Sequence, residues 1–185
     1  KFHIDKLMPK DACQYFIDFY KNNSQHIKKE ISYKYKTKKK EYDNYKCINL
    51  TNLFMEDDKF KEPLELAKKY ISIMITNYEL YIKNNICPTF DSSTISSSNS
   101  IRILKYEKGQ SIKDHSDVGG NIRASCTLNL NEDYEGGEFI FFEGQIKEVF
   151  KTGDAMLFPA EPIWIHGTEP ITKGIRYSIN CFLHQ

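Results

Sequence analysis

The chain has 185 residues, 40% of them hydrophobic and 14% aromatic, a size and composition that suit one domain with a sizeable core. Its 26 basic and 25 acidic residues leave a formal charge of +1, which excludes a strong overall field for drawing in nucleic acid or an anionic membrane. No apolar run reaches the roughly 18 residues of a membrane helix, and Lys1 to Lys6 lack the apolar stretch of a signal peptide.

Residues 10 to 22 place Ala12, Tyr15, Phe16, Phe19 and Tyr20 at helical spacing behind Pro9, a residue suited to a helix start. From Pro63 to about Asn84 the series Leu64, Ala67, Ile71, Met74, Ile75, Tyr78 and Ile82 repeats that spacing and predicts the main packing helix. Between them, Lys34 to Lys40 is strongly basic and reads as a solvated loop before it reads as a contact surface. The serine-rich stretch Asp91 to Ser100 predicts a flexible connection or a substrate loop.

After residue 100 the hydrophobic period changes to two. Segments 101–106, 124–130, 138–142, 155–158, 163–166 and 175–183 read as strands parted by Gly, Pro, Asn or Asp. Gly136 and Gly137 predict a hairpin turn that needs positive φ. Helices first and strands later imply an α+β, mainly β fold. The expected form is a single domain, residues 1–185: a double-stranded β-helix, or jelly roll, over 101–185, buttressed by a helical support region over 1–100. The cysteines at 13, 47, 87, 126 and 181 are odd in number and contain no Cys-x-x-Cys pair, which argues against a thiolate zinc site. Cys126 and Cys181 read as small buried hydrophobes. Reduced thiols suit an intracellular location.

In an extended segment His115 and Asp117 leave the backbone on the same side. Alone, a His-x-Asp is better explained by chance or a loop ion pair. His166, 51 residues downstream at the end of a strand-like segment, supplies the third member of a two-histidine, one-carboxylate facial triad. Such a triad suits non-haem iron(II), because it leaves metal positions open to co-substrate and oxygen. Arg176 follows ten residues later, and alternation sets Arg176, Ser178 and Asn180 on one strand face against Tyr177, Ile179 and Cys181 on the other. An interior guanidinium calls for an anion in bidentate geometry. Trp164 reads equally as a groove residue or a core aromatic.

The ordered set Tyr106 to Gly109, His115 to Asp117, Leu130 to Glu138, Gly153-Asp154, Phe158-Pro159 and His166 to Tyr177 resembles the prolyl 4-hydroxylase-like branch of the Fe(II)/2-oxoglutarate-dependent oxygenases. The resemblance covers about residues 101 to 183. It implies His115, Asp117 and His166 as iron ligands, Arg176 and Tyr106 as holders of the distal 2-oxoglutarate carboxylate, and Ser178, Thr127 and Asn129 as pocket residues. Fe(II), 2-oxoglutarate and O2 are the implied cofactors, with ascorbate as reductant, and a prolyl residue of a protein or peptide is the implied substrate. Two features part from the collagen-type pattern: Arg176 stands where collagen prolyl hydroxylases typically carry lysine, and the C-terminal segment is also similar to procollagen lysyl hydroxylases. Lysyl hydroxylation, with Glu138 or Glu169 as the acidic group, therefore competes with prolyl hydroxylation. Base oxidation in nucleic acid and a non-catalytic binding module are the remaining readings.

Overall fold

A computed structural model describes residues 1–33, 40–89 and 95–185. The chain opens with β1 (Phe2–Ile4) and α1 (Lys10–Asn22), then β2 (Lys28–Tyr33), β3 (Lys40–Asn49), α2 (Leu50–Glu56) and α3 (Lys61–Asn85). The remaining strands follow: β4 (Ser97–Tyr106), β5 (Ile122–Asn129), β6 (Glu135–Gly136), β7 (Phe139–Phe141), β8 (Ile146–Glu148), β9 (Ala155–Pro159), β10 (His166–Thr168), β11 (Ile171–Lys173) and β12 (Arg176–His184).

Pro9 stands at the N-cap of α1 with φ −62°, a value proline already holds. The Asn49 side chain accepts the Asn52 N–H and so starts α2. In α3, Leu64, Ala67, Tyr70, Ile71 and Met74 are buried at three- and four-residue spacing, so the first half of this helix packs on the core while Leu80 and Tyr81 stand exposed.

Seven strands form one antiparallel sheet in the order β1-β9-β5-β12-β4-β3-β2. Facing it are a three-stranded sheet, β10-β7-β8, and a two-stranded one, β11-β6. This is the jelly roll. Phe16, Tyr20, Leu64, Ile71 and Met74 of the helices join Ile101, Ile103, Leu128, Tyr177, Ile179 and Leu183 in one apolar cluster. The helices thus buttress one face of the large sheet and leave the other face to the interior.

Four expectations are corrected. Residues 1–100 supply three strands of the large sheet as well as helices, because β3 hydrogen-bonds to β4 and β1 to β9. Ser97 to Ser100 belong to β4 instead of a connection; residues 90–94, like the basic residues 34–39, lie outside the described ones. The strand expected over 163–166 begins only at His166. Gly136 and Gly137 do have positive φ, 77° and 71°, yet they join no hairpin: β5 lies in the large sheet and β7 in the small one, so this segment carries the chain from sheet to sheet.

Candidate metal centre

His115 and His166 are distant in sequence and adjacent in space, joined by an isolated antiparallel bridge. The His115 N–H donates to the His166 carbonyl at 3.0 Å and the His166 N–H to the His115 carbonyl at 2.9 Å. Their ring centroids lie 4.4 Å apart. Gly167 makes this approach possible: a Cβ there would lie 2.7 Å from the Ile112 carbonyl oxygen and 2.9 Å from an Asp114 carboxylate oxygen. The glycine is needed for close backbone approach inside β10.

Asp117 completes the group, with Oδ1 3.3 Å from His115 Nε2 and Oδ2 3.3 Å from His166 Nε2. The three potential ligand atoms lie within 4.8 Å of one another. On each histidine the other nitrogen is engaged: His115 Nδ1 donates to the Lys113 carbonyl at 2.9 Å and His166 Nδ1 to the Trp164 carbonyl at 3.0 Å. Those bonds fix the tautomer and turn both Nε2 lone pairs toward the carboxylate. Two lone pairs and a carboxylate brought this close repel unless a cation lies between them, so the donor set fits a divalent metal. Burial opposes the charge on Asp117, but the neighbouring imidazoles of His115 and His166 when protonated, together with the Ser125 hydroxyl, outweigh it and hold the carboxyl far below its usual range. His115 is shifted upward: burial lowers its affinity for a proton, and its contacts with Asp117 and the Lys113 carbonyl override that.

The histidines line a cavity of about 540 Å³. One wall is aromatic. The Phe139 ring stacks on His166 at 5.5 Å and Phe158 meets it edge-on at 4.6 Å, which keeps water from that side. Trp164 packs against Phe141 and Phe142 and is half-buried, so its ring serves this small-sheet core while its carbonyl orients His166.

Arg176, Tyr106, Ser178, Thr127 and Asn129 are all buried on the interior face of the large sheet, but none of them lines the cavity. They form a deeper polar layer. Arg176, 2% exposed, donates from Nε to Asn129 Oδ1 at 3.2 Å and from Nη1 to the Gly137 carbonyl at 2.9 Å. Its guanidinium lies over the rings of Tyr106 and Phe150, and these two acceptors are neutral. Tyr106 is pushed well above the usual phenol range by burial, so its hydroxyl keeps its proton. The Asn129 amide is committed to Arg176 and to the carbonyls of Asn131 and Lys151.

Two residues take roles that the sequence reading did not give them. Asn180 lines the cavity and accepts from Thr127 Oγ1 at 3.1 Å and Ser178 Oγ at 3.2 Å, linking the deeper layer to the cavity wall. Ser125 donates to Asp117 Oδ2. Strand alternation carries a signal for both: Ser125 shares a face with Thr127 and Asn129, as Asn180 does with Arg176 and Ser178. Glu138 and Glu169, the acidic groups expected for a lysine substrate, do not line the cavity, and Glu169 is paired with Lys147 at 2.7 Å.

Comparison with known proteins agrees with this geometry. Residues 101–184 match the sequence model of the 2OG-Fe(II) oxygenase superfamily. A PKHD-type hydroxylase of a Synechococcus species is 33% identical over 91 residues, covering 43% of this chain and 40% of the relative; one from a Janthinobacterium species is 34% identical over 90 residues, covering 40% and 38%. The chain therefore spans about two fifths of the length of these curated relatives. Among solved structures, a prolyl hydroxylase of Trichoplax adhaerens in complex with a hypoxia inducible factor peptide fragment superposes with a TM-score of 0.70 at 14% identity, covering 99% of this chain and 82% of that one. A prolyl-4-hydroxylase of Pseudomonas putida gives 0.63 at 15% identity, covering 100% and 91%. At such identities the likeness concerns the fold, whereas the sequence match reaches the site itself. Residues 101–184, which carry the triad and the buried arginine, match the 2OG-Fe(II) oxygenase superfamily, and the chain takes a prolyl hydroxylase-like fold.

Proposed function

We propose that the chain is an iron(II)- and 2-oxoglutarate-dependent hydroxylase of a protein or peptide side chain, with a prolyl residue as the preferred target. The observation that carries this reading is the convergence of His115, Asp117 and His166 beside a cavity with an aromatic wall. An iron(II) ion held by these three would supply O2 activation coupled to decarboxylation of 2-oxoglutarate, giving succinate, carbon dioxide and a hydroxylated product.

The chain's own residues do the positioning. The Nδ1 bonds of His115 and His166 aim their Nε2 atoms, and Ser125 orients Asp117. Phe139 and Phe158 exclude water on one side. Arg176, a buried cation that donates to the neutral Asn129 amide and Gly137 carbonyl, is suited to the distal carboxylate of 2-oxoglutarate, with the Tyr106 hydroxyl as a second donor. Ascorbate is proposed as the reductant that keeps the metal as iron(II). The prolyl target is supported by the likeness of the fold to that of prolyl hydroxylases. An intracellular location is supported by the five free cysteines.

The test is incubation with iron(II), 2-oxoglutarate and panels of proline-rich and lysine-rich peptides, with succinate release and peptide mass as readouts. Succinate formation together with the gain of one oxygen atom on proline is expected. Oxygen gained on lysine alone moves the target to lysine. No succinate with any peptide contradicts the hydroxylase reading and leaves a binding module.

A further inference from the structure

We propose that Arg102 is a specificity residue whose guanidinium receives a carboxylate of the peptide substrate, either an acidic side chain near the hydroxylated residue or the peptide's C-terminal carboxylate. This rests on the peptide-hydroxylase reading above.

Arg102 shares the interior face of β4 with Leu104 and Tyr106 and lines the same cavity as His115 and His166. Its Nη1 donates to the Tyr45 hydroxyl at 3.1 Å, and its guanidinium lies 5.2 Å from the centre of the Phe182 ring. Its Nε is buried and meets no acceptor. A buried donor left unmade is costly, and a guanidinium edge is shaped for a planar carboxylate. Among the described residues no carboxylate pairs with it; Glu30 lines the same wall but stays exposed and forms no ion pair with Arg102. Burial pushes the Tyr45 hydroxyl up to about 12. It therefore keeps its proton, and while accepting from Arg102 it has an O–H left to donate to the same ligand.

The position separates Arg102 from the metal and from the co-substrate's arginine. Asp117 is held by Ser125, Ser125 pairs with Phe182, and the Phe182 ring lies under Arg102. From β5 across β12 to β4 is two strand spacings, roughly 10 Å, or about three residues of extended peptide. Arg176 and Tyr106 lie in the deeper layer, where they are left to the co-substrate.

The experiment uses short proline-centred peptides in which one glutamate is moved from position to position, their glutamine counterparts, and each peptide as C-terminal acid and amide. Binding is read by fluorescence anisotropy and hydroxylation by mass spectrometry, for wild type, Arg102→Gln and Arg102→Lys, with folding checked by circular dichroism. In wild type one register of glutamate, or the C-terminal acid, binds about tenfold tighter than its neutral counterpart. That ratio falls to near unity in Arg102→Gln and partly returns in Arg102→Lys. The arm that shows the ratio identifies the carboxylate. If wild type shows no preference, including no binding, or if the ratio survives in Arg102→Gln, the proposal is overturned. A loss of 2-oxoglutarate affinity in Arg102→Gln with the peptide ratio intact also overturns it, by assigning Arg102 to the co-substrate. An acidic preference in binding without any succinate formation instead sinks the hydroxylase reading and leaves the Arg102 assignment standing.

Discussion

The two faces of β12 belong to different chemistries. Tyr177, Ile179 and Cys181 enter an apolar cluster with the helices. Arg176 and Ser178, also buried, face the interior, where Asn180 lines the cavity; there a cation, amides and hydroxyls satisfy one another. Burying polar groups costs stability unless each is bonded. One face therefore stabilises the sheet, while the other holds reactive groups in place at the expense of the first. Substitutions on the two faces are expected to separate stability from ligand binding.

The largest separation is expected from Asp117→Ala. Removing the carboxylate between the two Nε2 atoms should weaken iron(II) or manganese(II) binding by more than about a hundredfold while the melting temperature changes little, as read by calorimetry and thermal denaturation. Retained metal affinity would break the assignment of the metal site that the polar face adjoins. On the opposite face, Ile179→Ala leaves a hole in the apolar cluster and should cost about 2–5 kcal/mol in denaturant unfolding, with metal affinity of the folded fraction unchanged. A loss of metal affinity there would show that the two faces are coupled.

Smaller effects sharpen the picture. Ser125→Ala removes the donor to Asp117 and should weaken metal binding about tenfold without unfolding the chain. Lys173→Ala breaks a well-exposed ion pair with Glu135 and should change stability by less than about 1 kcal/mol, which gives the baseline for the other variants.

The regular elements could be read from local pattern. The apolar spacing of α1 and α3 and the alternation of β12 each follow from a period that the backbone imposes, so helices, strands and the polar face of β12 all appear where the residues place them. What escaped depends on contacts between distant segments. The His115–His166 bridge, the close approach at Gly167 and the edge strand β1 beside β9 are made between segments with no local signal for one another. Residues 163–165 show the converse: their apolar run has strand character, but pairing with β7 begins only at His166. Arg102 was within reach, because alternation from Tyr106 puts it on the site face; nothing in the sequence shows that its Nε lacks an acceptor.

The central claim is that the polar face joins a metal at His115, Asp117 and His166 to a 2-oxo acid held by Arg176. The direct measurement is 2-oxoglutarate binding by calorimetry under anaerobic conditions, with and without iron(II), in wild type and Arg176→Gln. The expected result is binding that requires the metal and weakens about tenfold or more in Arg176→Gln. Binding that ignores the metal, or equal affinity in the variant, would contradict the account.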